Sequence, residues 1–382
     1  MIAGAIAILG WLAAALAVVG CVYVAAAAWL TRRFLGRAAA ASGPAPPVSL
    51  LKPLHGAYPG MDSVLEGFCD QTYAGPVQVL FGVDDEADPA ATIVEALKTR
   101  RPDADIHLVV DGAQHGANRK VSNVINIARH ARHEVLVLSD ADIAVGPDYL
   151  RDVTTALAGE GVGAATCLYV GAEAGGGPWS RLAAMAITYG FLPNAVLGRT
   201  LGMADPCFGS TIALTRATMA GIGGFEAFAD QLADDYEIGR AVRARGRTIA
   251  IPPIVVSHLC VEPGFAALTS HELRWGRTVR QIDPAGYAGS VITYPLPLAL
   301  IATALLGVSV ATLCLIFVAF GVRIAGKTAI DAATGARTGR WWLIPLRDVL
   351  SFAMFVTSFA VDTVGWQGRR FRVGRGGVLS HP

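Results

Sequence analysis

Apolar and polar positions are spread very unevenly along this chain. Residues 1–31 carry no charged side chain and residues 289–322 carry none, while the stretch between them has ordinary charge density. The first run exceeds the roughly 20 residues needed to cross a hydrocarbon core and ends at Arg32, Arg33 and Arg37, so it reads as an anchor whose basic end faces the cytosol. A signal peptide is the rival reading, since alanines at 25 to 28 offer a cleavage site, but signal peptides place positive charge before a shorter apolar core. Residues 289–322 are too long for one upright helix, and Pro295, Pro297 and Gly307 offer bends, so two short crossings or one long tilted helix are both open. The last apolar piece, 349–361, is shorter than a span. Arg337, Arg340 and Arg347 precede it and Arg369, Arg370, Arg372 and Arg375 follow it, which favours a re-entrant or interfacial hairpin over a crossing, with a full crossing as the alternative. Residues 323–382 are then an amphipathic or re-entrant segment with a basic tail.

Between the apolar ends, 32–47 reads as a linker, stiffened by the SGPAPP run at 42–47, and 48–288 as one soluble domain. There, short apolar runs alternate with helix-like stretches, the pattern of an α/β domain with a mainly parallel sheet. Strands are expected over 48–51, 77–83, 106–110, 135–139, 163–169 and 248–251, and helices over 88–99, 120–131, 147–158 and 233–245. Residues 179–202 are apolar with isolated arginines and aromatics, which suits either a helix lying in the membrane interface or a buried core helix.

Composition sharpens this picture. A chain of 382 residues that is 53% hydrophobic and only 16% charged is not a fully soluble globule, and the confinement of the apolar excess to the ends excludes a many-helix transporter. Net charge of +1 gives no electrostatic case for nucleic acid. The six cysteines are scattered without a C-x-x-C pair, as buried thiols of a reducing compartment would be.

The candidate chemistry lies where strands are expected to end, the place where ligands bind in open α/β sheets. The strand VLVL leads into Asp140-Ala141-Asp142, two carboxylates that can grip a divalent cation and through it a diphosphate, or simply start a turn. Asp84-Asp85-Glu86 closes another strand. Asp234-Asp235 opens a helix, where adjacent acids complement the helix dipole or supply a general base whose pKa is raised by its neighbour. His271 to Trp275 reads HELRW, placing an arginine fork for phosphate beside a flat indole, and Asn118-Arg119-Lys120 opens a helix as an anion-binding entry. No Walker pattern and no G-x-G-x-x-G after a strand is present.

Asp85, Asp140-Ala141-Asp142, Asp235 and the Arg274-Trp275 pair, in that order, resemble the D, D, D, (Q/R)xxRW signature of inverting glycosyltransferases of the processive and lipid-directed kind. VSLLKPLHG (48–56), VDDEADPA (83–90), GANRKVSNVIN (116–126), LADDYE (232–237) and the tail WQGRRFRVGRGG (366–377) resemble the ceramide glucosyltransferase family over essentially the whole chain. KPLHG, HGANRKVSN, ADPCFGST (204–211) and HELRWGRTVRQ look most like its bacterial hopanoid-associated branch. One departure is His271 at the first position of (Q/R)xxRW, and Asp234 stands for the family's glutamate before the base.

The resemblance implies a GT-A, Rossmann-like nucleotide-sugar domain on the cytosolic face of a bacterial inner membrane, working as a UDP-sugar-dependent hexosyltransferase. It implies Asp235 as catalytic base, and Lys52, Pro53, Leu54, Asp85, Lys120, Asp140, Arg274 and Trp275 around the nucleotide sugar. Asp140 and Asp142 would hold Mg²⁺ or Mn²⁺, with Asp234, Cys207, Gly209 and His271 on the acceptor side. The expected partners are a UDP-sugar donor, a hopanoid or sphingolipid acceptor and the bilayer, with no nucleic acid or protein partner. The sugar and lipid of the hopanoid branch are N-acetylglucosamine and bacteriohopanetetrol; those of the runner-up are glucose and ceramide. Two rivals are a processive polysaccharide synthase, disfavoured by too few crossings for a polymer channel, and a non-catalytic nucleotide-sugar-binding protein, disfavoured by the complete carboxylate set.

Overall fold

A computed structural model describes residues 1–37, 43, 45–360, 363–366, 369–373 and 379–380. Positions 38–42 and 44 of the expected linker, and the side chains of the expected basic tail, lie outside the described residues. The chain opens with α1 (Ile2–Leu35), whose 34 residues span about 51 Å at 1.5 Å per residue, more than a hydrocarbon core requires.

The domain that follows is built on a seven-stranded sheet. Its first strands are β1 (Val48–Pro53), buried at every position, β2 (Val77–Val83), β3 (Asp105–Val110) and β4 (Val135–Leu138). All are parallel, in the order β3-β2-β1-β4, because helical crossovers connect them: α2 (Met61–Cys69), α3 (Pro89–Arg100) and α4 (Arg119–Ala128). Local capping sets the helix starts. Asp88 accepts a hydrogen bond from the amide of Ala90 with Pro89 at the first helical position, and Asn118 accepts one from Val121.

Beyond β4 the sheet changes character. The short β5 (Ile143–Ala144) and α5 (Tyr149–Leu157) lead to β6 (Val162–Ala165) and β7 (Leu168–Glu173). Residues 163–169, expected as one strand, are therefore two strands in different sheets. The chain crosses at Thr166 and Cys167, where the Thr166 amide donates to the Ala250 carbonyl and its hydroxyl to that of Phe208. A helix follows, α6 (Pro178–Ala186), a π-helical turn at Ile187–Phe191 and α7 (Leu192–Thr200). Next come β8 (Ile212–Thr215), α8 (Arg216–Gly221), α9 (Asp234–Ala244), β9 (Thr248–Ala250) and β10 (Val255–Cys260). β8 inserts antiparallel between β4 and β6, completing the order β3-β2-β1-β4-β8-β6-β9, while β5, β10 and β7 form a second small sheet. Neither β8 nor β10 was expected. One apolar core fills the side covered by α2, α3 and α5, and another the side covered by α4, α8 and α9.

Of the two readings of 179–202, the core helix describes most of the segment: Leu182, Met185, Ile187, Tyr189, Leu192 and Val196 are buried in a third core with β7, β10 and α13 (Val310–Thr334), while Leu201 and Met203 are exposed. α10 (Phe265–Ile282) then carries the chain to the apolar C-terminal region. α11 (Pro284–Gly289) with the turn at Ser290–Thr293 meets α12 (Pro295–Leu306) at a 74° bend, and Gly307, at φ 86°, separates α12 from α13. Among the described residues α1 and α13 are long and apolar enough to cross a membrane, with a third span only if the bent pair counts as one. α12 alone covers about 18 Å, short of the hydrocarbon core, and α13 runs past Arg323 and Lys327 rather than stopping at 322. Residues 349–361 do not form a hairpin within the described part: most belong to α14 (Ile344–Thr357), a helix packed on α10, α12 and α6. Strands β11 (Thr363–Trp366), β12 (Arg369–Val373) and β13 (Leu379–Ser380) form a small antiparallel sheet.

Candidate active site

At the carboxyl ends of β1, β2 and β4 lies a cavity of about 480 Å³. Asp140 and Asp142 reach it because their backbone is pinned from beneath. The buried Lys52 ammonium donates to the carbonyls of Asp140 (2.6 Å) and Ile143 (3.2 Å), and the Tyr58 hydroxyl to that of Ala141 (2.7 Å). Lys52 is 1% exposed and lies 3.9 Å from the centre of the Phe68 ring; burial pulls its pKa down to about 7 against the opposing charges of Asp142 and Asp140. Lys52 therefore holds the turn that carries the carboxylates and does not line the cavity, a correction to the expectation that it touches the nucleotide.

From the opposite side, the loop 205–211 closes on the same carboxylates. The Asp140 amide donates to the Gly209 carbonyl (3.1 Å), and the Gly209 amide donates to Asp235 Oδ2 (2.9 Å). A Cβ at Gly209 would stand 2.4 Å from Asp140 Oδ2 and push that carboxylate aside, so glycine lets this loop link the two aspartates without displacing one of them. α9 starts at this point and brings in Asp234 and Asp235, while α4, capped by Asn118 and tied to Gln231 through the Asn118 side chain (2.7 Å), brings in Lys120. Lys120 Nζ bridges Asp140 Oδ1 (2.7 Å) and Asp234 Oδ2 (2.9 Å). Burial alone would lower the lysine's pKa, but Asp140, Asp234 and Asp235 outweigh it and hold the ammonium charged. Asp235 is pushed up to about 6, chiefly by burial and then by Asp234, with Lys120 opposing the rise. Burial raises Asp140 as well.

Arg274 and Trp275 on α10 face the cavity. Burial lowers the Arg274 pKa, opposed by Asp142 and Asp140, and among the described residues its guanidinium makes no hydrogen bond or ion pair. Pro53, Leu54, Cys207, Gly209 and Asp234 also line the cavity, as expected of them. Besides Lys52, two expected residues do not. Asp85 is exposed, its carboxylate accepting from the Ala87 amide at 2.9 Å, and Asp84 takes the place at the cavity, paired with Arg119 at 2.7 Å. β2 ends at Val83 and the chain bends at Asp84, which points Asp84 and not Asp85 into the cavity, so the DPA register selected the outward residue. His271 packs behind the wall, with Nδ1 2.9 Å from Glu262 Oε1 and its ring edge-on to Trp275 at 4.7 Å; it props the indole.

Among the lining residues that sequence reasoning missed are Tyr169, Phe191, Phe208 and His258. His258 Nε2 lies 3.4 Å from Asp142 Oδ2, placed there by β10 pairing with β5, where His258 stands opposite Ile143. The alternation in VVSHLC was the available signal for β10. Asp142 Oδ1 is buried and has no hydrogen-bond partner, an orphaned acceptor that fits a cation. Among the described residues no group of three or more His, Cys, Asp or Glu converges as a metal cage. Mg²⁺ and similar ions need none, since one or two carboxylates and substrate phosphates suffice. Asp140 and Asp142 are thus the residues that would hold such an ion.

Comparison with known proteins places this geometry in a family. The chain is 28% identical over 209 residues to ceramide glucosyltransferase 1 of Caenorhabditis elegans, covering 54% of this chain and 44% of that protein. It is 27% identical over 123 residues to ceramide glucosyltransferase of Candida albicans, covering 29% and 23%. The matched part thus spans less than half the length of these curated relatives. Among solved structures, mannosyltransferase PcManGT from Pyrobaculum calidifontis, in complex with GDP-Man and Mn²⁺, superposes with a TM-score of 0.52 at 19% identity over 92% of this chain and 99% of that one, which shows the shared GT-A fold. Residues 12–379 match the model of Glycosyl transferase family 21, and the chain belongs to that family.

Proposed function

We propose that this protein is a membrane-bound inverting glycosyltransferase that moves a sugar from a UDP-sugar to the hydroxyl of a membrane lipid, with its cavity facing the cytosol of a bacterium. The observation that carries the reading is the convergence of Asp140, Asp142, Asp235, Arg274 and Trp275 on one cavity, in a chain that also carries two helices of membrane-spanning length.

Asp235 takes the proton of the acceptor hydroxyl as its oxygen attacks the anomeric carbon; the bond from that carbon to the phosphate oxygen breaks, and UDP leaves with the electron pair. With a pKa near 6, Asp235 is ionised at neutral pH yet basic enough to receive a proton. A divalent cation on Asp140 and Asp142 would supply Lewis-acid stabilisation of the leaving diphosphate. Arg274 offers a guanidinium for the same negative charge, and the Gly209 amide orients the base by holding Asp235 Oδ2.

The first choice of substrates is UDP-GlcNAc with bacteriohopanetetrol, supported by the KPLHG, HGANRKVSN, ADPCFGST and HELRWGRTVRQ motifs. The second is UDP-glucose with ceramide, supported by the names of the curated relatives. Mass spectrometry of lipids from a host expressing the chain, with and without a hopanoid supply, distinguishes them. A new N-acetylhexosamine-bearing hopanoid supports the first and a new hexosylceramide the second. Neither product, together with no UDP release from either donor, sinks the proposal.

A further inference from the structure

The cavity has two unlike ends. Asp84 and Arg119 stand at the β2 side, whereas at the other end three aromatic rings pack on one another. Tyr169 stacks on Phe191 with ring centres 4.4 Å apart, and Phe208 stands edge-on to both, at 5.9 and 5.2 Å. Phe208 immediately precedes Gly209, whose amide holds the carboxylate of Asp235, so the aromatic wall begins beside the proposed base. Asp235 is hemmed in on another side by Asp234, Lys120 and Asp140. A hydroxyl bound at the base therefore lies beside the rings.

The wall is also built onto the membrane-length helices. Phe191 ends the π-helical turn between α6 and α7, a rare conformation found frequently at functional sites. Tyr189 anchors that turn to α13 and the segment after it: its hydroxyl donates to Asp331 and lies 2.6 Å from the Thr338 carbonyl, and its own carbonyl accepts from Arg323 at 3.2 Å. α7 continues along α1, ends at the exposed Leu201 and Met203, and the chain then returns to Phe208. One segment thus borders the base, carries exposed apolar side chains and packs on the anchor.

We propose that Tyr169, Phe191 and Phe208 form the acceptor subsite and hold the apolar body of a membrane lipid next to its reacting hydroxyl. This assignment rests on the lipid-acceptor reading above. The competing role for such rings is a platform for the donor sugar, and the kinetics separate the two.

The test uses the full chain in detergent or nanodiscs, with UDP-GlcNAc and bacteriohopanetetrol or UDP-glucose and ceramide, whichever pair the wild type turns over. Phe191→Ala should raise the acceptor KM about tenfold or more, the loss expected for removing an aromatic ring from an apolar contact, and Phe191→Leu should fall between. The donor KM should stay within about twofold of wild type for both variants. An unchanged acceptor KM in both, or a donor KM that rises in parallel, overturns the subsite. Phe191→Leu keeps most of the packing volume and so remains informative if the alanine variant does not fold. Failure of the function itself looks different: the wild type then transfers to neither lipid, and the subsite falls with it.

Discussion

Two clusters of buried charge lie on either side of α10, and they are arranged in opposite ways. Where α13 and α14 pack beneath the catalytic domain, each cation has its own carboxylate. Arg347, 2% exposed, grips Glu272 through both terminal nitrogens at 2.7 and 2.6 Å; Arg323 grips Asp348 at 2.8 and 2.7 Å; and Lys327 meets Asp331 at 2.6 Å. Among the described residues lining the cavity, by contrast, five carboxylates (Asp84, Asp140, Asp142, Asp234, Asp235) face three fixed cations (Arg119, Lys120, Arg274). Matched forks in a dry interface hold geometry, because each partner left alone would be a buried bare charge. Surplus charge in a cavity raises carboxylate pKa values and calls for ligands. The two clusters are connected, since Glu272 sits two residues before Arg274 on the same helix, so the paired cluster positions a wall of the unpaired one.

The largest expected effect breaks the unpaired cluster. Asp235→Asn should lower transfer by about 10²–10⁴-fold, the usual worth of a general base, while UDP binding by calorimetry stays near wild type; a mutant that keeps a substantial fraction of turnover removes Asp235 from the role. The matched cluster should respond in stability instead. Glu272→Gln strands Arg347 as a buried charge and should cost about 3–5 kcal/mol in chemical unfolding, whereas the double replacement Glu272→Leu with Arg347→Met should recover much of it. If the single change is harmless, the clamp is not a clamp.

A smaller effect is expected at the orphaned oxygen. Asp142→Ala should weaken Mn²⁺-dependent binding of UDP by at least about tenfold, and an unchanged titration counts against the metal role. The mildest perturbation is pH. Since Asp235 works as a carboxylate with a raised pKa, kcat/KM should fall below about pH 6, roughly tenfold per unit. Lys120 opposes that rise, so in Lys120→Met the acid limb should move to higher pH; a limb that stays put or moves down contradicts the charge arrangement around Asp235.

Much of the parallel half of the fold was legible in the chain. VQVLFGV is apolar but for Gln78 and forms β2 over the expected residues, and helices α3 and α4 start where Asp88 and Asn118 can cap them, because capping and short-range patterning are local. The antiparallel half was harder to read. β8 is only four residues long, β10 belongs to a small second sheet, and whether a segment such as 163–169 stays in one sheet depends on the partner it meets at Thr166. The site shows the same division. Asp140, Asp142 and Asp235 stood out by type and position, whereas Lys52 looked like a ligand contact until the turn above it was seen to depend on its ammonium. His258, Tyr169, Phe191 and Phe208 carry no local mark of function.

The sequence by itself determined that apolar ends bracket an α/β domain and that acidic residues leave its strands, because hydrophobic period, capping and charge placement act over a few residues. Only the tertiary structure decided that Asp84 rather than Asp85 faces the cavity, that Gly209 joins Asp140 to Asp235, that an aromatic wall stands beside the base, and that α14 clamps the helix bearing Arg274. Those outcomes depend on which distant segments approach within a few ångströms, and that is settled by packing, steric fit and the pairing of buried charge across the whole chain.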